Sequence, residues 1–260
     1  MNALLLKILA CAAMFMDHLA VTLRVSRPVY LATGLGRILG AQSHYVLLTS
    51  IGRIAFPIFA FQLVEGVRYT SNKGKYLIRM GILALVSEVF FDLALYGKFF
   101  HWNHQNVFFT LLLGLIVIIV IDWSGRLKGK HRLIGSGIAL AVVAIAATTA
   151  HVLCTDYGYK GVLTIAVLGL MTLPEYTRLT YPKSLFARTI ICALAFTLLS
   201  VLCIKKSGTG EFYSLFALFP IFLYNGKKGY NKPLQYAVYA FYPVHLMLLG
   251  VVFVLPHLLR

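Results

Sequence analysis

The chain of 260 residues is 60% hydrophobic and 12% charged, with a mean hydropathy of +0.82. A soluble domain carries about twice that charged fraction, so a water-soluble globular fold is excluded. The net charge of +16 belongs to loop cations that set topology in so apolar a chain, and a nucleic-acid partner is not expected.

The first apolar segment, 4–24, is followed by others of its kind and ends in no small-residue cleavage site. It therefore reads as a retained helix and not as a removable signal peptide. Further spans are predicted at 46–66, 77–97, 106–123, 133–153, 159–176, 187–204, 211–224 and 233–256. The fold expected is an all-α polytopic membrane protein of nine or ten transmembrane helices, one domain over 1–260. The eighth span is short enough to be tilted or broken. The loop Val25–Tyr45 is moderately apolar, contains Arg27, Pro28 and Arg37, and reads as an amphipathic or re-entrant piece.

Loops after spans two, four, six and eight carry fourteen Lys and Arg, and the alternate loops carry seven. The positive-inside rule then places the N-terminus in the cytoplasm and the C-terminus outside. On that topology Lys7 is cytoplasmic in depth, His18 lies in the middle to outer half, Arg53 is outer, and Glu65, Arg68 and Arg79 are inner. Glu88, Asp92 and His245 fall at depths compatible with His18.

An ionisable residue inside a span costs about 2.5–3.5 kcal/mol on insertion scales and is a functional candidate by default. The first span holds three, Lys7, Asp17 and His18. Lys7 and His18 are about three helical turns apart, on one face and roughly 16 Å from each other along the axis. His18 is the candidate general base, because imidazole titrates near neutrality. Asp17 points about 100° away from it, so it needs another partner, and Arg53 is the outer-half candidate. Lys7 either binds an anion or snorkels to the interface. Glu88 and Asp92, at i and i+4, must share a proton or meet a cation; they read equally as a polar part of the site or as structural ion pairing. Glu65 and Arg68 read as a helix-end ion pair. His245 and Tyr242 are candidates for binding the acceptor.

The four cysteines show no metal spacing, and no disulfide is expected. Cys11 shares the Lys7–His18 stripe and reads as a small buried residue, with a thioester relay as the sharper alternative. In KFFHWNHQN (98–106), His101 and His104 lack acidic or cysteine partners nearby, so an interfacial aromatic belt is expected there and no metal.

Several stretches together resemble the TraX family of membrane proteins. They are the K-I-L-A-x4-M-x-D-H pattern over Lys7–His18, GRIAFPIFAFQLVEGVRYT at Gly52–Thr70, YLIRMGILALVSEVFFDLAL at Tyr76–Leu95, QNVFFTLLLGL at Gln105–Leu115, DYGYKGVL at Asp156–Leu163, and FALFPIFLYNGKKG followed by YAFYPVHLMLL. Their order and spacing carry the likeness over nearly the whole chain. The resemblance implies acetylation of the N-terminus of a conjugative pilin from acetyl-CoA. It also implies kinship with the broader acyltransferase-3 membrane enzymes, whose first helix holds a basic residue, ten residues and then a histidine. Lys7 and His18 meet that spacing, with Lys in place of the usual Arg, which removes a bidentate phosphate contact.

The resulting expectation is an acetyltransferase in the bacterial inner (cytoplasmic) membrane, a multi-pass protein among membrane lipids. Acetyl-CoA is its co-substrate, with no metal. Its phosphates are expected at Lys7, Arg53, Arg68, Lys75 and Arg79, with His18, Asp17, Glu88 and Asp92 as the catalytic set. The acceptor is an amine or hydroxyl of an envelope peptide, glycan or lipid. Two other readings fit the same residues: a proton-coupled transporter using Glu88, Asp92 and His245, and a non-catalytic envelope assembly protein.

Overall fold

A computed structural model describes residues 1–25, 41–172, 185–229 and 232–259. Most of the expected amphipathic or re-entrant piece, including Arg27, Pro28 and Arg37, and the basic residues Arg178 and Lys183 lie outside them. Among the described residues the chain is helical, with one isolated backbone bridge, between Gln105 and Thr155, and no strand.

Helix α1 spans Ala3–Val25. The second expected span is two helices, α2 (Ala41–Gly52) and α3 (Ala55–Tyr69), joined by a turn at Arg53 and Ile54. Pro57 sits in the first turn of α3, where its missing N–H leaves no hydrogen bond unmade. Helix α4 (Lys73–Tyr96) starts on Asn72, whose side chain accepts from the Lys75 backbone N–H, and ends on Gly97 at φ 65°. Helix α5 (Val107–Gly125) starts on Asn106, which accepts from Phe108 N–H. Asparagine is favoured at such caps because its oxygen takes one of the orphan donors of the first turn.

Helices α6 (Lys130–Val152), α7 (Gly158–Thr172) and α8 (Leu185–Ser207) follow. The short eighth span is indeed broken: a 3₁₀ segment, Gly208–Ala217, leads into the brief α9, Leu218–Phe222. Helix α10 (Lys232–Leu249) runs on through a π turn, Gly250–Val254, into α11, Leu255–Leu258. Among the described residues five apolar stretches are long enough to cross a membrane: Ala3–Arg24, His44–Tyr69, Val107–Gly125, Lys130–Val152 and Pro233–Val254. Three shorter apolar helices, Gly158–Gly169, Cys192–Cys203 and Glu211–Phe222, pack among them. This is a multi-pass membrane protein.

Helices α5 and α7 pack closely. Gly114 abuts Ile165, and Gly169 abuts Ile118, so a Cβ on either glycine would overlap the facing isoleucine. The alternation of helices gives the bundle two unlike ends. At one, Asp122 at the foot of α5 takes Lys73 and, at 3.0 Å, Arg126, while Ala3 N–H donates to the Lys227 carbonyl at 2.9 Å. At the other, loop 97–106 meets turn 153–157 through Gln105 N–H to Cys154 O at 3.2 Å and Asp156 N–H to Gln105 O at 2.9 Å. Helices α1, α4 and α10 pack against one another toward this second end.

Candidate functional site

His18 is buried on α1, and its Nδ1 lies 2.8 Å from Nε2 of His245 on α10. His245 Nδ1 is in turn 2.8 Å from the Phe241 carbonyl. A carbonyl only accepts, so His245 Nδ1 carries the proton and donates it. A neutral His245 then presents a bare Nε2, and the proton between the two rings belongs to His18 Nδ1. The tautomers are assigned from this network. They leave the lone pair on His18 Nε2, a nitrogen that makes no hydrogen bond among the described residues. The two rings are near-parallel, at 4°, with centroids 5.1 Å apart, and Phe91 and Tyr242 meet His18 edge-on. Pro243 lies inside α10 two residues before His245, where it removes a helical N–H.

A charged group stands beside the histidines. Arg53, in the turn between α2 and α3, places one guanidinium nitrogen 3.8 Å from Asp17 and another 3.7 Å from Glu211 of the 3₁₀ segment. Gly52 lets α1 come this close, since a Cβ there would overlap the Asp17 side chain at its root.

His18, Asp17, Arg53 and Glu211 line one cavity of about 1160 Å³, whose wall continues through His104, Asp156, Tyr157 and Phe56. Turn 153–157 is held in a costly conformation: Cys154 and Tyr157 have φ of 50° and 59°, in the left-handed region that L residues avoid. Thr110 compensates, its hydroxyl lying 2.8 Å from that of Thr155 and donating to the Asp156 carbonyl. Tyr157 stacks on Phe56 at 4.0 Å, and burial, with Glu211 next, pushes its phenol well above the usual range, so it stays protonated. Strain of this kind concentrates at functional sites.

The sequence-derived candidates divide. His18, Asp17 and Arg53 meet in the cavity, with Tyr242 and His245 packed behind His18. Glu88 and Asp92 do not line it. The expectation for them is a shared proton or a cation; the hydrogen bonds they make are to neutral amides, and Asp92 Oδ1 makes none among the described residues. Glu88 accepts from the Asn106 backbone at 3.0 Å and its side chain at 2.6 Å, and Asp92 accepts from His101 N–H at 2.7 Å. Both carboxylates secure loop 97–106. Arg53 is parted from the other donor-binding candidates, standing about fifteen residues, or roughly 22 Å of helix, from Arg68. Lys7 is half-buried within electrostatic reach of Lys228 and Tyr239. Arg68 lies 3.2 Å from Glu65, as its i, i+3 spacing predicts, and Lys75 and Arg79 are exposed. Cys11 is buried.

Sequence reasoning passed over Glu211, Asp156 and Tyr157 as site residues. The available signal was scarcity: the chain has eight acidic residues, and three of them line this cavity. His104 was read as part of an aromatic belt, yet its Nε2 lies 3.6 Å from Asp156. No group of three or more His, Cys, Asp and Glu gathers as a metal site among the described residues.

Fold and site together define a class: a polytopic helical membrane protein whose bundle encloses a polar, histidine-bearing cavity. The chain belongs to the TraX family, whose description, TraX protein, matches residues 3–253. It is 28% identical over 260 residues, 95% of this chain and 94% of the other, to the "Probable fimbrial assembly protein FimC, serogroup H1" of Dichelobacter nodosus. No solved structure matches it.

Proposed function

We propose that this chain is an acetyltransferase of the bacterial inner membrane, moving an acetyl group from cytoplasmic acetyl-CoA to an amine or hydroxyl of an envelope acceptor. The observation that carries the reading is the hydrogen-bonded series from Phe241 carbonyl through His245 to His18. It fixes a neutral imidazole with its Nε2 lone pair uncommitted in a cavity-lining residue. A base held by a second ring that is itself anchored is the arrangement proton abstraction requires. Membership of the TraX family and likeness to a fimbrial assembly protein make a pilin-like peptide the first acceptor to try, with glycans and lipids next.

Orientation in this reading rests on the basic end being cytoplasmic. Acetyl-CoA arrives there, its phosphates meeting Lys7, Lys75 and Arg79, with Arg68 already engaged by Glu65. The thioester reaches toward His18 along the α1 face that both residues share. His18 Nε2 takes the proton from the acceptor as it attacks, and the acceptor enters from the opposite side of the membrane. The Lys7–His18 spacing, which resembles that of the acyltransferase-3 enzymes, fits the same assignment.

The test is transfer of labelled acetyl from acetyl-CoA into envelope material by membranes containing the wild-type protein or His18→Ala. A loss of about 10²–10⁴-fold in folded His18→Ala is expected. Undiminished transfer by that variant would overturn the assignment.

A further inference from the structure

Arg53 stands out among the cavity's cations. Its guanidinium is ion-paired with Asp17 and Glu211 at 3.8 and 3.7 Å, but both distances exceed a hydrogen bond. None of its five N–H groups is committed to a described residue, while Asp17 Oδ1 and Glu211 Oε1 also lack hydrogen bonds. The turn that carries the fork is itself held in place. The turn residue's backbone N–H is shared between Thr49 O at 3.2 Å and Ser50 O at 3.3 Å, and Gly52 presses directly against Asp17. The fork is thus set between two acids, by side chains from three elements. Its side chain retains 27% exposure, enough to meet a ligand in the cavity. Lys160, the other cation of the lining, has its ammonium 5.9 Å from the centre of the Tyr159 ring.

We propose that Arg53 is a catalytic residue, the donor that stabilises the oxyanion of acyl transfer; this rests on the acetyltransferase reading above. The acceptor's nitrogen or oxygen forms a bond to the thioester carbonyl carbon while its proton passes to His18 Nε2. The carbonyl π pair moves onto oxygen, and that oxyanion accepts hydrogen bonds from the Arg53 fork. As the carbonyl re-forms, the C–S bond breaks and the sulfur takes the proton back from His18. CoA leaves as the thiol, the acceptor carries the acetyl group, and His18 is neutral again. Asp17 and Glu211 are positioning residues that hold the fork in place.

The experiment compares Arg53→Ala and Arg53→Lys with wild type in the full-length protein, reconstituted in lipid discs and given labelled acetyl-CoA and envelope acceptor material. Removing one oxyanion donor costs about 10²–10³-fold in kcat. That loss is expected in Arg53→Ala, with the KM for acetyl-CoA little changed and added guanidinium ion restoring part of the rate. The same ion is expected to leave His18→Ala inactive. Arg53→Lys keeps a positive charge between the two acids, preserves the fold and should lose rate in the same direction. Unchanged kcat in either folded variant would overturn the proposal. So would a loss confined to the KM for acetyl-CoA, which makes Arg53 a donor-phosphate ligand, or a loss that guanidinium does not relieve. Transfer that requires His18 yet ignores Arg53 removes this step alone; wild-type protein that transfers no acetyl removes the acetyltransferase reading with it.

Discussion

At the scale of single residues, the site depends on which nitrogen holds which proton. His245 is useful to His18 because its Nδ1 is spoken for by a carbonyl, and the consequence passes along the pair. His245→Ala should therefore lower acetyl transfer by at least tenfold, though less than His18→Ala does, since the base survives with its tautomer unfixed. Rates of both variants with one acceptor preparation check this. Glu88 gives the opposite expectation. Glu88→Ala strips the acceptor from buried Asn106 and should destabilise the protein by about 1–3 kcal/mol. Glu88→Gln keeps one oxygen and should cost less. Activity per folded molecule should survive in both, measured beside thermal unfolding in detergent. The difference between these residues was only partly legible from the chain. Both are ionisable groups in a span, which marks them out, but whether a carboxylate meets a proton, a cation or a backbone amide depends on a loop folding back over it.

At the scale of elements, hydropathy located the helices well and their interruptions poorly. The second span, 46–66, is apolar on average on both sides of Arg53, so mean hydropathy does not mark the turn there. Gly52 and Pro57 were the local signs of it. The break matters because it directs Arg53 inward while α2 and α3 both stay against α1. Gly52→Ala should push Asp17, and with it α1, away from that turn; overpacking of this kind costs about 1–3 kcal/mol. Acetyl transfer should fall in step, because Asp17 and His18 move together. Thermal unfolding and transfer rates of this variant check both effects, and an unaltered rate would detach the break from the site. Asp17 with Arg53 was readable from rotation and depth along two helices. Glu211 was not, since it lies in a 3₁₀ segment to which neither helical nor strand spacing applies.

At the scale of the whole molecule, the two ends of the bundle face different chemistry. Orientation is testable with the chain's own thiols: Cys154 is exposed in the turn at the cavity end, whereas Cys11, Cys192 and Cys203 are buried. If the basic end is cytoplasmic, a membrane-impermeant maleimide added to intact spheroplasts should label wild type and leave Cys154→Ala unlabelled. Lys128→Cys in the Cys154→Ala background should react only after permeabilisation. The reverse pattern would invert the topology and place the cavity on the donor's side.

The pairing of His18 with His245 also has a consequence for biogenesis. The partners are 227 residues apart, one in α1 and the other in α10. At 5–20 residues per second, α1 waits about 10–45 s in the membrane before α10 is synthesised. Through that interval its imidazole and carboxylate have only early helices, lipid or the insertion machinery for company. Chains stopped before 232 should accordingly be cleared by quality-control proteolysis far faster than the finished protein, as a pulse-chase experiment would show. Synthesis of α10 is then both the completion of the site and the end of the chain's most vulnerable period.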